Sequence, residues 1–116
     1  TVLIAEDTDM NFVFLMEALK PTGINVMRAH DGKEAIALCE ENRFIDLVLM
    51  DITMPHIDGF EATRQIKANR NIPVIAQTAL NIDEAESKSK AAGCDDYILK
   101  PIRLNDFLTI LAKYLH

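Results

Sequence analysis

Apolar residues in this chain fall into short unbroken runs, and between the runs they recur every three or four positions. That alternation of strand-like and helix-like segments repeats five times, with no Pro/Gly/Ser-rich linker and no low-complexity stretch. Val2 to Ala5 predicts a buried strand. Asp7-Thr8-Asp9 follows as a set of capping candidates, then a helix with the apolar stripe Phe12, Leu15, Met16 and Leu19, stopped by Pro21-Thr22-Gly23. A second strand, about Asn25 to Ala29, leads through the turn residues Asp31-Gly32 into a helix carrying Ala35, Ile36, Leu38 and Cys39. Leu47-Val48-Leu49-Met50 is apolar without alternation, as a strand covered on both faces should be, and runs straight into Asp51. After a loop from Ile52 to Asp58, Gly59 to Asn69 predicts a helix with Asp58 as its N-cap. Ile72 to Thr78 predicts a fourth strand entered at Pro73. Asp83 to Ala92 is a weakly apolar helix ended by Gly93. Tyr97-Ile98-Leu99 forms the last strand, before Lys100-Pro101 and a final amphipathic helix with Leu104, Phe107, Leu108, Leu111 and Leu115 on its apolar face.

Five strand-helix units joined by short connections require parallel pairing through right-handed crossovers. The predicted fold is therefore α/β, a flavodoxin-like doubly wound five-stranded parallel sheet of order 2-1-3-4-5 with five helices. At 116 residues the chain fits one domain, spanning 1–116, that can hold a core without disulfides or a structural metal. Cys39 and Cys94 accordingly read as free thiols of a reducing, cytoplasmic environment. A net charge of -6 argues against binding a phosphate backbone or an anionic membrane surface. The apolar runs are far too short to span a bilayer, so no membrane contact by this domain is expected. Because a strand begins directly behind Thr1, we expect the domain to be excised from a longer chain.

In doubly wound sheets ligands bind at the carboxyl ends of the strands, near the point where strand order reverses. Those ends carry Glu6 and Asp7 after the first strand, Asp51 after the third, Thr78 after the fourth and Lys100 after the fifth. Clustered carboxylates repel one another unless a cation neutralises them. The set therefore implies a hard divalent cation, Mg²⁺ or Mn²⁺ in its place, with oxygen ligands. An ammonium and a hydroxyl opposite that cation would hold the oxygens of a phosphoryl group, leaving one carboxylate to attack phosphorus in line. Asp51, on the central strand, is the natural nucleophile.

Several segments together carry a family resemblance. They are Ile4-Ala5-Glu6-Asp7-Thr8, Met50-Asp51-Ile52-Thr53-Met54-Pro55-His56-Ile57-Asp58-Gly59, Gln77-Thr78-Ala79, Ala92-Gly93-Cys94-Asp95-Asp96-Tyr97 and Leu99-Lys100-Pro101. In that order and at those distances the chain resembles, over its whole length, the receiver domain of two-component response regulators. The resemblance implies that Asp51 accepts a phosphoryl group from a phosphohistidine on a histidine kinase or a histidine phosphotransfer protein. It also implies that Asp7, Asp51 and the backbone carbonyl of Thr53 bind Mg²⁺, with Glu6 acting through a water, and that Thr78 and Lys100 contact the phosphoryl oxygens. Tyr97 matches the aromatic that turns together with the Thr78 hydroxyl on phosphorylation, and the Lys100-Pro101 bond is expected to be cis. The output surface would comprise the fourth helix, the fifth strand and the fifth helix, a surface open to homodimerisation. Glu6-Asp7, Asn11, the stretch from Asp58 to Arg64 and Gly93-Cys94-Asp95-Asp96-Tyr97 are similar to receivers fused to hybrid sensor histidine kinases, some of them membrane-anchored. Such a domain catalyses its own phosphorylation and dephosphorylation as a signalling switch, without product turnover. Thr53 and Leu80, each two residues past a site residue, occupy the positions through which the family tunes dephosphorylation.

Other readings attach to the same residues. Asp7 and Asp58 could only cap helices, Thr78 could only form a turn, and Tyr97 could simply pack an edge strand against a helix. His30, His56 and His116 lack metal-ligand spacing and read as surface residues, while Met10, Met16, Met27, Met50 and Met54 read as core filling or loop contacts. A flavin mononucleotide binder would need a Ser/Thr/Gly-rich loop where Glu6 and Asp7 stand. A small phosphatase with an Asp nucleophile would need a second Asp at position 53 and a cap insertion. A degenerate receiver acting only as an interaction module would have lost at least one of the five site residues, and none is lost.

Overall fold

The computed structural model describes residues 1–54 and 56–115; Pro55 of the Met50–Gly59 segment and His116 of the surface histidines lie outside the described residues. Five strands form one parallel sheet: β1 (Val2–Ala5), β2 (Val26–Ala29), β3 (Leu47–Asp51), β4 (Val74–Thr78) and β5 (Asp96–Leu99), in the order β2-β1-β3-β4-β5. The helices are α1 (Asp9–Leu19), α2 (Gly32–Glu41), α3 (Gly59–Asn69), α4 (Ile82–Ala92) and α5 (Leu104–Tyr114). β1, β3 and β4 are buried along their whole length, which explains their unbroken apolar runs.

Alternate residues of the central strands feed two cores. Leu3, Ala5, Val48, Met50 and Val74 pack with Ala35, Cys39, Ala62 and Ile66 of α2 and α3 on one face. Val2, Ile4, Leu47, Leu49, Ile75 and Ile98 pack with Leu15, Leu19, Phe107 and Leu111 of α1 and α5 on the other. A smaller cluster of Phe60, Ala76 and Ala92 lies under α4, which buries only Ala85, Ser89 and Ala92. That helix is anchored by small side chains alone.

Most boundaries fall where the pattern places them, and the departures have local causes. β4 begins at Val74, because the Pro73 carbonyl only accepts from Val48 N–H and its own nitrogen has no hydrogen to donate. α1 is followed by a single turn of 3₁₀ helix, Lys20–Thr22, closed by Gly23 at φ 76°. Thr8 is the N-cap of α1, yet its hydroxyl caps nothing; its amide donates to the Glu6 carboxylate. Asp31, Asp58 and Asn81 do cap, each accepting from the amide three residues on, at Glu34, Glu61 and Glu84. Leu104 was expected on the apolar face of α5 but is exposed, lying in the first turn before the helix reaches the sheet. Met10 is likewise exposed and no core filler. Both cysteines are free, and Lys100-Pro101 is cis.

Candidate functional site

The sheet register builds the site. Ala5 pairs with Met50, so the next residues, Glu6 and Asp51, stand side by side at the carboxyl ends of β1 and β3. Asp51 pairs with Gln77, and Gln77 with Ile98. In-register residues of parallel strands point to the same face about 4.8 Å apart. Glu6, Asp51, Gln77 and Ile98 thus form one row, on the face covered by α1 and α5. Thr78, the next residue of β4, belongs to the opposite face. The ladder continues past the strands through Glu6 N–H to Ala29 O, Ile52 N–H to Gln77 O and Lys100 N–H to Thr78 O, so these turns leave the sheet in fixed directions.

Carboxylate oxygens of Glu6, Asp7 and Asp51 all lie within 4.8 Å of one another. Glu6 and Asp51 are buried and Asp7 is exposed, which leaves the cluster open on the Asp7 side. Lys100 Nζ donates to Asp51 Oδ1 at 2.8 Å, and the Thr53 amide donates to the same oxygen at 3.1 Å. Among the described residues no hydrogen bond falls on Asp51 Oδ2. Thr78 is buried with its Oγ1 accepting from the Leu80 amide at 3.0 Å, so its own hydroxyl hydrogen remains to donate. Tyr97 is half-buried against Phe60, Ala76 and Ala92. The expected set of Glu6, Asp7, Asp51, Thr53 and Lys100 is brought together by contact, with Thr78 one residue beyond the row and Tyr97 in the neighbouring cluster.

Burial and the adjacent Asp51 carboxyl push Glu6 from its ordinary 4.5 up to about 7, against the smaller opposing pull of the Thr8 amide and Lys100. Its Oε1 is buried without a hydrogen-bond partner among the described residues. An orphaned carboxylate oxygen beside two further carboxylates fits a hard divalent cation. Glu6, Asp7, Asp51 and the Thr53 carbonyl are the residues that would hold it.

Two further residues position the site, Arg28 outside every motif segment and Gly59 at the end of one. Arg28, on edge strand β2, donates from Nε and Nη2 to the Glu6 carbonyl at 3.2 and 3.1 Å and from Nη1 to Asp9 Oδ1 at 2.7 Å, with its guanidinium 4.7 Å from the Phe12 ring centre. It pins the loop that carries Glu6 and Asp7. Gly59 lets α3 start directly beneath β3. A Cβ there would run into the Asp51 carbonyl and come within 2.8 Å of Ile52 Cα, and the Gly59 amide closes the loop by donating to Ile52 O at 3.1 Å.

Comparison with known proteins gives the same picture. A family model for the response regulator receiver domain matches residues 2–112. The polar-differentiation response regulator DivK of Brucella anthropi is 36% identical over 99% of this chain and 95% of its own length. The receiver domain of a Pseudomonas aeruginosa sensor histidine kinase, solved with a magnesium ion coordinated in its active-site cleft, is 33% identical with a TM-score of 0.87, covering 97% of this chain and 94% of that one. A yeast response-regulator receiver domain, from Saccharomyces cerevisiae and crystallised with a histidine phosphotransfer protein, is 28% identical with a TM-score of 0.89 over 97% of this chain and 86% of that one.

Proposed function

The chain belongs to the response regulator receiver domain family, and on that premise we propose that it takes a phosphoryl group from a phosphohistidine onto Asp51. The observation that carries this assignment is the state of the Asp51 carboxylate. It is buried at the end of the central strand, with Oδ1 tied to Lys100 and to the Thr53 amide and with Oδ2 free of hydrogen bonds among the described residues. A carboxylate held by one oxygen presents the other in a fixed direction, as in-line attack requires. Asp51 Oδ2 forms the new bond to phosphorus while the bond from phosphorus to the imidazole nitrogen breaks, and the ring, already protonated on its other nitrogen, takes the bonding pair and leaves as neutral imidazole.

Glu6, Asp7, Asp51 and the Thr53 carbonyl would hold Mg²⁺ in this reading, Glu6 through a water. When bound, the ion offsets the repulsion of the carboxylates and the charge of the incoming phosphoryl group. Lys100, now held at Asp51, contacts a phosphoryl oxygen. The Thr78 hydroxyl, with its hydrogen uncommitted, donates to another. Drawing Thr78 inward opens space beside Phe60 and Ala76 for the Tyr97 ring, which changes the surface formed by α4, β5 and α5. The weak anchoring of α4 supports that part of the reading. The same surface is the one available for a homodimer.

The donor is a histidine kinase or a histidine phosphotransfer protein. Its imidazole must reach an opening beside Asp7, two residues before α1, whose Met10, Val13 and Phe14 are exposed. An exposed apolar patch beside a charged opening suits a helical partner that docks there and presents its phosphohistidine inward. Intact-mass measurement after incubation with acetyl phosphate tests the assignment. One phosphoryl group is expected on the wild type with Mg²⁺ and none on Asp51→Asn; equal uptake by Asp51→Asn overturns it.

A further inference from the structure

Gln77 is 1% exposed, and neither its amide nitrogen nor its amide oxygen has a hydrogen-bond partner among the described residues. Buried amides left unpaired are costly and uncommon, so such a residue on a fully buried central strand calls for a cause. A packing role would be served better by an apolar side chain, as at every other position of β4 before Thr78. Gln77 lies in register beside Asp51, on the face of the sheet that also carries Glu6. It lines, together with Glu6, Asn11 and Lys100, a cleft of about 250 Å³ between α1 and the segment after β5. The third buried orphan in this region is Glu6 Oε1.

The donor and acceptor inventory of that cleft closes on itself. Lys100 has three N–H groups and commits one to Asp51. Gln77 Oε1 needs a donor, Gln77 Nε2 needs an acceptor, and Glu6 Oε1 is an acceptor without a donor. We propose that Gln77 is a positioning residue of the phosphorylation site, linking Lys100 to Glu6 beneath Asp51 across ordered water, with Oε1 facing the Lys100 ammonium and Nε2 the Glu6 carboxylate. The cleft has room for such a water, and the polar atoms around it supply the partners a bound water needs. The link ties the cation that faces the phosphoryl group to the carboxylate that faces the metal, so both sides of Asp51 are held in one arrangement before either ligand arrives. This inference rests on the assignment of Asp51 and its neighbours as a Mg²⁺-dependent phosphoacceptor site.

The test compares Gln77→Leu and the more flexible Gln77→Met with the wild type. Mg²⁺ affinity is read by titration calorimetry, phosphoryl uptake from acetyl phosphate at saturating Mg²⁺ by intact mass, and Tm without metal by calorimetry. Loss of the link is expected to weaken Mg²⁺ binding threefold to tenfold and to slow phosphorylation by a similar factor, whatever the change in Tm. A merely structural contact would change Tm alone and leave both of those readouts as in the wild type. Unchanged Mg²⁺ affinity and unchanged phosphorylation rate in either folded variant overturn the inference while leaving the site assignment intact. A wild type that neither binds Mg²⁺ nor takes up phosphoryl overturns both.

Discussion

The two edges of the sheet treat their polar groups in opposite ways. At the amino-terminal edge, Arg70 donates to four carbonyls, those of Cys39, Asn42, Arg43 and Ile45, and so ties the end of α3 to the last turn of α2 and the chain before β3. Beside it, Asp95 accepts from both Lys67 Nζ and the Val74 amide. At the carboxyl-terminal edge, three carboxylates crowd together, Glu6 Oε1 and both Gln77 amide atoms lack partners among the described residues, and Asp51 spends only one of its oxygens. The same fold therefore ties down most of its polar groups where it needs only stability, Ser89 Oγ being an exception among the described residues, and leaves them uncommitted where ligands arrive. Spare valence concentrated at one edge marks the working end of the molecule more sharply than charge alone.

Substitutions should separate the two edges. The largest effect is expected for Asp7→Ala, which removes a carboxylate from the exposed mouth of the cluster: Mg²⁺ binding measured by calorimetry is lost, and Tm without metal stays level or rises because repulsion is relieved. Arg70→Ala is the mirror case. It strands four carbonyls and should cost on the order of 2–3 kcal/mol of stability in denaturant unfolding, with phosphoryl uptake by the surviving folded protein unchanged. Lys100→Ala should leave Mg²⁺ binding in place but uncouple phosphorylation from the change at the α4, β5 and α5 surface, read as loss of the phosphorylation-induced shifts there in NMR spectra.

A smaller, pH-dependent effect belongs to Glu6. Its folded-state value of about 7 lies above the ordinary 4.5, so the folded chain binds the proton more tightly than the unfolded one. The stability this contributes is fully present below 4.5 and is lost as pH rises through about 7. Saturating Mg²⁺ competes for the carboxylate and should flatten that slope in unfolding measurements across the same range, because binding the metal releases the proton. A slope unaffected by Mg²⁺ would place the metal away from Glu6.

Much of the carboxyl-terminal edge was legible in the sequence because a parallel sheet delivers its strand ends to one place. Finding five apolar runs was enough to bring Glu6, Asp7, Asp51, Thr78 and Lys100 together. What escaped is of a different kind. Arg28 reads as a solvated charge on an edge strand and Arg70 as a charge after a helix, yet each is defined by carbonyl partners 22 to 31 positions away. No local pattern encodes such a contact. Gln77 offered one overlooked signal, a lone polar residue in the buried run Val74-Ile75-Ala76 before Thr78.

The assignment of Asp51 is tested most directly by locating the phosphoryl group. Borohydride reduces an acyl phosphate of aspartate to homoserine, so treating the phosphorylated protein and mapping its peptides by mass spectrometry reads the modified position. Homoserine at position 51 and nowhere else is the predicted result. Reduction at Asp7 or Glu6, or a phosphoryl group found on His30 or His56, would contradict it.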